Sequence, residues 1–355
     1  MADTTLWHRG VQFLVKSVVV LDQLSHVLVE LMRETIIPLK AVGYLHLRVI
    51  THNIRYAASD LSENERPWSE RGSLILNQLQ HELRPIGLTP SELGTENQAA
   101  FVCLQEVLHN QLVDILADLN GLDDYQDDKP SNGPFWAHIG VGGDDGKRKR
   151  EYNPILYPVK LFELLHRETI WLSPTPDRPS KGWDARSIRF LTVGVFKHIP
   201  SRKRLVAANT HLDDAGSKSR AESVAIILKT LRRVHSEWLR GSELGLFLAG
   251  DFNSFPNQEA YQAVIDSGYL TDLHSQIKAK DRYGDIVTFT GFEPDKDKDE
   301  QGRMDFIWLG PISKKSDSLQ NTPWTVDGYA VLPNLFEAGV YLSDHRAVVG
   351  DFTLR

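Results

Sequence analysis

The stretch Leu244-Gly-Leu-Phe-Leu-Ala-Gly-Asp-Phe-Asn-Ser254 decides how the rest of the chain is read. Leu244 to Ala249 is an almost unbroken apolar run, short and bounded by glycine, which is the pattern of a buried strand. Gly250 lets the backbone turn sharply. Asp251 and Asn253 follow at the strand's carboxyl end, two residues apart, so in an extended chain they point the same way. A carboxylate can hold water or a metal, and a carboxamide beside it can donate to a phosphate oxygen. The local alternative is an Asx-rich turn with no chemistry attached.

The same arrangement recurs along the chain. Asn53 ends the alternating run Leu45-His-Leu-Arg-Val-Ile-Thr-His-Asn53, and Glu106 ends Val102-Cys-Leu-Gln-Glu106. Asn209 and His211 end Leu205-Val-Ala-Ala-Asn-Thr-His211. Asp305 lies within Arg303-Met-Asp-Phe-Ile-Trp308, and Asp344-His345 precede the last strand. Acids, amides and imidazoles at so many strand ends point to a shared rim, the place on a rigid sheet where catalytic groups collect. The pattern predicts further strands at 99–105, 153–157, 161–172, 188–197, 204–211, 287–290, 304–309, 325–331 and 346–353. It predicts helices at 71–82, 108–119 and 221–239, a helix ending at 265, and loops at 121–149, 174–181 and 295–300. Strands interleaved with amphipathic helices indicate an α/β (α+β) chain. Consecutive strands without intervening helices favour a mixed or antiparallel pair of sheets over one parallel sheet.

Composition narrows the setting. A net charge of −7 removes the whole-molecule attraction to nucleic acid that a basic protein has. The basic runs Lys147-Arg-Lys-Arg150 and Arg202-Lys-Arg204 read as solvated loops. The single cysteine, Cys103, sits in an apolar run and reads as a core thiol, and no intrachain disulfide is possible. With no clean signal peptide, a reducing, cytoplasmic setting is favoured, with secretion left open. The apolar run from Val11 is interrupted by Lys16 and ended by Asp22, so it is too short to span a bilayer. Residues 1–44 read as an amphipathic helix and linker outside the core, and residues 45–355 as one catalytic domain. Nothing in the sequence speaks to oligomeric state.

Taken together, Thr51-His-Asn53, Leu104-Gln-Glu106, Asn209-Thr-His211, Gly250-Asp-Phe-Asn253, Met304-Asp305 and Ser343-Asp-His345 resemble the motifs of the endonuclease/exonuclease/phosphatase superfamily, in family order, across residues 47–353. Asn153-Pro-Ile-Leu-Tyr157, Trp171-Leu-Ser-Pro-Thr-Pro176 and Gly182-Trp-Asp184 with Arg189 resemble a microbial branch near the deadenylase-like and nocturnin-like enzymes. That branch often reads Thr-His-Leu-Asp-His, and here Asp214 stands in the last place. The resemblance implies a DNase I-like four-layer sandwich, two mixed sheets face to face with helices outside. It implies a hydrolase that cleaves phosphoesters by in-line attack of water with one or two Mg²⁺ or Mn²⁺ ions.

By the same resemblance Glu106 is the direct metal ligand, with Asn53 and Asp344 completing the set; all are hard oxygen donors suited to such ions. His211 and Asn253 grip phosphate oxygens. Asp305 and His345 form an acid–imidazole pair, which should raise the His345 pKa above its usual ~6.5. Either His345 or Asp251 serves as the base. Arg189 is an extra phosphate contact, and Trp183, Trp171 and Tyr157 are candidates to stack on a base or sugar. The substrate is a phosphodiester first, as in a 3′-5′ RNA exonuclease; RNA, a nucleotide, an inositol phosphate or a lipid head group all fit the chemistry. A phosphomonoesterase and a binding module that has lost the chemistry are the alternatives.

Because every motif lies after Thr51, a chain starting at Leu45 should stay soluble and active against a generic phosphoester. Loss of folding on that truncation would show instead that the apolar face carrying Leu24, Leu28 and Leu31 covers part of the core.

Overall fold

In chain order the principal elements are β1 (Leu45–Asn53), α1 (Trp68–Leu83), β2 (Gln98–Gln105), α2 (His109–Asn120), β3 (Trp136–Ile139), β4 (Ile155–Pro158), β5 (Phe162–Trp171), β6 (Phe190–His198) and β7 (Arg204–His211). They continue with α3 (Ser217–Trp238), β8 (Leu244–Asp251), α4 (Glu259–Asp266), β9 (Thr271–Asp272), β10 (Arg282–Gly284), β11 (Asp305–Gly310), β12 (Trp324–Val331) and β13 (Val348–Leu354). The computed structural model describes residues 43–355 except 90–91, 94–96, 123–132, 240–243, 293–300, 313–318, 320–321 and 337–338. The N-terminal helix and the charged loop at 295–300 read from the sequence lie outside the described residues.

Two mixed sheets result. The first has seven strands in the order β10-β12-β13-β1-β2-β4-β3, and the second has six, β9-β11-β8-β7-β6-β5. Each holds a parallel pair, β1 with β2 and β7 with β8, flanked by antiparallel neighbours. Parallel partners end at the same edge, and an antiparallel neighbour begins there. One edge of each sheet therefore gathers the carboxyl ends of two strands and the start of a third.

Burial on both faces explains why Leu244–Ala249 is apolar without alternation. Leu244, Leu246 and Leu248 pack outward with α3 and α4 residues such as Ile227, Leu231 and Val264, whereas Phe247 and Ala249 face the other sheet. β11 repeats the division: Phe306 and Trp308 outward, Ile307 and Leu309 inward. Between the sheets Phe101 meets Phe162, Phe196 and Phe247 at ring-centroid distances of 4.7, 5.0 and 5.5 Å. Helices α1 and α2, through Ile75, Leu79, Leu112 and Ile115, belong to the core of the first sheet. The fold is the four-layer, DNase I-like sandwich.

Two expectations need correction, and one short strand was not expected. The segment 121–149 is not all loop, since Trp136–Ile139 forms the edge strand β3, paired antiparallel with β4. The expected strand at 287–290 joins no ladder. Its bonds are divided between two segments: Thr288 and Phe289 N–H donate to Gly302 O, and Thr290 N–H to Asp344 O. The short edge strand β10 carries no alternation that a three-residue run could show. Among the described residues no helix is long and apolar enough to cross a membrane.

His198, at the end of β6, is fully buried. Its Nδ1 accepts the Ser201 backbone N–H at 3.2 Å, which requires an unprotonated nitrogen there. Burial lowers its pKa to about 4. Because the folded value lies below the ~6.5 of an unfolded chain, the stabilisation is complete above pH ~6.5 and is lost as pH falls toward 4. The difference corresponds to about 3 kcal/mol. His198→Asn, which keeps an acceptor for that N–H, should flatten this part of the stability–pH curve in denaturant titrations. An unchanged slope would refute the assignment.

Candidate active site

The register across the second sheet aligns three ionisable residues. Asp251 is paired with His211 on one side and with Asp305 on the other, so all three project from the same face. This alignment needs Gly250. Its φ is +146°, and a Cβ there would stand 2.0 Å from Thr210 O. Across the gap, Asn53 at the end of β1 donates through Nδ2 to Asp251 Oδ2 at 2.9 Å and to Glu106 Oε1 at 3.1 Å. A single amide thus ties the two sheet edges together. Ser343 Oγ donates to Asn53 O at 2.7 Å, bringing Asp344 and His345 to the same place.

His345 Nδ1 lies 2.9 Å from Asp305 Oδ2, and its Nε2 lies 3.5 Å from Asp251 Oδ2. Burial opposes the imidazolium, but the charges of Asp305 and Asp251 outweigh it and hold the His345 pKa well above the usual value. That is the direction expected from the sequence. Burial, countered by His345 and reinforced by Asp305, pushes Asp251 up to about 6. His211 goes the other way: burial, with Arg189 and His345 nearby, holds it well below 6.5. Arg189 Nη1 donates to His211 Nδ1 at 3.0 Å. An arginine can only donate, so the neutral ring carries its proton on Nε2, where Asp251 Oδ2 at 3.5 Å can accept it; Asn253 Nδ2, also a donor and 3.0 Å from that nitrogen, donates to Leu212 O at 3.0 Å.

Glu106, His211, Asp251, Asn253, Asp344, His345 and Arg189 line one cleft of about 930 Å³, with Asn53 and Asp305 buried behind it. Glu106 and Asn253 have left-handed backbones, φ +59° and +45°, as does Arg55 at +57°. Such strain in non-glycine residues concentrates where side-chain placement matters more than local stability. Burial and the charge of Asp344 raise the Glu106 pKa. Two carboxylates crowded at one point are a donor set that a hard divalent cation relieves, whereas the Asn53 amide turns its Nδ2 to Glu106 and its Oδ1 to the Arg55 N–H at 3.0 Å. Asp251, Asp305 and His345 also bring one ligand atom each within 4.8 Å of one another. There, however, the imidazole already bonds a carboxylate, so the geometry is that of a proton-holding chain.

Other predicted residues lie elsewhere or act differently. Tyr157 is packed in the inter-sheet core against Phe196, 4.9 Å between rings, and does not line the cleft. Trp171 is buried with Nε1 on Gly143 O, and half-buried Trp183 is outside the cleft lining. Arg189 reaches the cleft, but Glu151, Asp213 and Asp214 surround its guanidinium at 3.2–3.7 Å. Asp214 pairs with Arg186 at 2.8 Å and with Arg189. Asp213, absent from the predicted set, accepts four backbone N–H bonds, from Arg186, Ser187, Ala215 and Gly216.

No protein-family model matches the chain. Curated relatives include the CCR4-Not complex 3′-5′-exoribonuclease subunit Ccr4 of Aspergillus terreus, 31% identical over 150 residues, covering 34% of this chain and 19% of that protein. The Aspergillus niger Ccr4 is 23% identical over 81% of this chain and 48% of its own length. The chain therefore spans less than half the length of these relatives. Among solved structures, an endonuclease/exonuclease/phosphatase family protein of Bacteroides thetaiotaomicron matches with TM-score 0.69 and 26% identity over 88% of this chain and 99% of that one. The chain belongs to the endonuclease/exonuclease/phosphatase superfamily. A mannosyl-6-phosphatase of the same bacterium matches with TM-score 0.67 and 28% identity over 86% of this chain and 99% of that one. The human Nocturnin catalytic domain, 18% identical with TM-score 0.59 over 88% and 94%, shares the fold.

One structural residue of this superfamily chain could have been suspected only from its place in α1. Arg71 is fully buried, yet meets backbone carbonyls instead of a carboxylate. Its guanidinium donates to Ile54, Arg55, Tyr56, Arg66 and Leu342, all carbonyl oxygens. It thereby joins the loop after β1, whose Tyr56 N–H holds Glu106 Oε2 at 3.2 Å, to the segment that delivers Asp344 and His345. Arg71→Lys keeps the charge but cannot fan out five donors. It should cost about 3 kcal/mol in denaturant unfolding, the scale of one or two lost charged hydrogen bonds. Unchanged stability would remove Arg71 from this role.

Proposed function

We propose that the protein is a divalent-metal-dependent phosphoesterase that hydrolyses its substrate at the floor of this cleft. The observation carrying the proposal is the convergence of Glu106 and Asp344 with His211, Asp251, Asn253 and His345 on a single cavity. Glu106 and Asp344 would hold Mg²⁺ or Mn²⁺, which supplies Lewis-acid polarisation of the phosphoryl oxygen, while the Asn53 amide holds Glu106 in place through its N–H. His211 Nε2–H and the Asn253 amide donate to nonbridging oxygens, where charge grows in the transition state. His345, held as a cation by Asp305, donates to phosphate. That leaves Asp251 as the base: its raised pKa, about 6, keeps it ionised at neutral pH yet basic enough to orient and deprotonate water.

For the substrate, we favour a small phosphomonoester over the RNA end expected first. Tyr157, Trp171 and Trp183, the residues read as stackers, do not line the cleft; the charged residues Arg150, Lys181 and Arg186 do, beside Tyr56, Phe190 and Phe289. The mannosyl-6-phosphatase likeness over nearly the full length of both chains supports this reading. A 3′-5′ exoribonuclease is the second reading, supported by the partial match to Ccr4.

Purified protein should hydrolyse p-nitrophenyl phosphate only with added Mg²⁺ or Mn²⁺, and Glu106→Gln should raise the metal concentration required by about 10–100-fold. Full turnover after exhaustive chelation would defeat the metal proposal. Release of inorganic phosphate from hexose monophosphates, set against shortening of a 3′-oligoadenylate, decides between the two substrates.

A further inference from the structure

The first sheet ends in β3 and the second in β5, and residues of both end strands meet at one side. A recess of about 500 Å³ lies there, bounded by His138 and Ile139 of β3, Arg167, Glu168 and Thr169 of β5, and Thr192 of β6. The loop after β3 closes it with Lys147 and Arg148. Thr169 and Thr192 are directly paired across the β5–β6 ladder, so their side chains share a face. Thr192 is 1% exposed, and its hydroxyl has no hydrogen-bond partner among the described residues. A buried hydroxyl left without a partner is costly unless something occupies the space before it.

The electrostatics of the recess oppose those of the molecule. In a chain of net charge −7, Lys147, Arg148 and Arg167 face one small space. The acid beside them, Glu168, is already paired with Arg233 at 2.6 Å. Basic side chains on edge strands also discourage edge-to-edge association, and that accounts for the exposed cations. It does not account for a recess of ligand size with an unpartnered hydroxyl at its inner wall.

We propose that this recess binds the phosphate group of a small organic phosphate, with Arg167 and Lys147 meeting the dianion at the mouth and the Thr192 hydroxyl donating to it from within. The volume exceeds what inorganic phosphate fills, so the remainder accommodates the carrier molecule. The site is separate from the catalytic cleft but shares a wall with it. Residues Gly142 to Glu151 form a tight turn, with Gly142 N–H on Lys147 O at 2.9 Å and Gly143 N–H on Glu151 O at 3.0 Å. Lys147 and Arg148 of this turn line the recess, while Gly143, Asp144, Arg150 and Glu151 line the cleft.

The test is calorimetric titration of the full chain with glucose 1-phosphate and, separately, inorganic phosphate, in chelator so that no turnover occurs. Arg167→Gln and Thr192→Val should each weaken glucose 1-phosphate binding about tenfold, the worth of one charge-assisted hydrogen bond. Thr192→Ser, which retains the hydroxyl, should bind like the wild type, and Asn253→Ala in the cleft should leave this binding event in place. Wild-type affinity in both Arg167→Gln and Thr192→Val overturns the site, as does complete loss of binding in Asn253→Ala. Equal or tighter binding of inorganic phosphate overturns the assignment to an organic phosphate. Circular dichroism and thermal melting of each variant separate loss of binding from loss of fold. Because these measurements need no hydrolysis, their failure would leave the phosphoesterase reading untouched.

Discussion

Asp251 stands in register between His211 and Asp305, and that pairing is the constraint on which the site depends. It follows from backbone hydrogen bonding alone: a parallel neighbour on one side, an antiparallel one on the other, and no Cβ at Gly250 to hold β7 and β8 apart. A one-residue slip in either ladder would send one partner to the opposite face. The two buried histidines then differ because their surroundings differ. His345 lies between two carboxylates and keeps its proton, while His211 lies against a guanidinium and stays neutral.

The first sheet meets this arrangement at one amide. Asn53 reaches Glu106 in its own sheet and Asp251 in the other. Behind it, Gln105 Nε2 donates to Asn209 Oδ1 at 2.7 Å, and Asn209 Nδ2 donates to the Leu104 and Pro154 carbonyls at 2.8 Å. These buried amides connect the sheets by directional bonds where the aromatic core gives only non-directional attraction. The core sets how far apart the sheets stand, and the amides fix where their edges lie relative to each other.

Much of this was legible in the sequence because strand ends are. Asn53, Glu106, His211, Asp251, Asp305 and His345 each close or open an apolar run, and a polar residue in that position is visible without a structure. The supporting residues are not. Arg71 sits at helical spacing like any polar residue of α1, and its five carbonyl partners come from three separate segments. Glu151 and Asp213 lie in loops whose composition resembles solvated turns. The aromatic readings at Tyr157 and Trp171, both buried, met a related ambiguity. A large ring beside a motif serves the core or a ligand equally well, and only burial tells the two apart. The edge strand β3 was lost among glycines and aspartates because four residues carry too little alternation to stand out.

The pairing of β1 with both β2 and β13 has a consequence in time. β1 lies at the centre of its sheet, yet one of its neighbours is made some fifty residues after it and the other only when nearly three hundred more have been added. Until residues 343–354 emerge, the emerging polypeptide has Asn53 and Glu106 but neither Asp344 nor His345. During synthesis the proposed active site therefore lacks its last two residues, and it is complete only once the closing strand has entered the sheet.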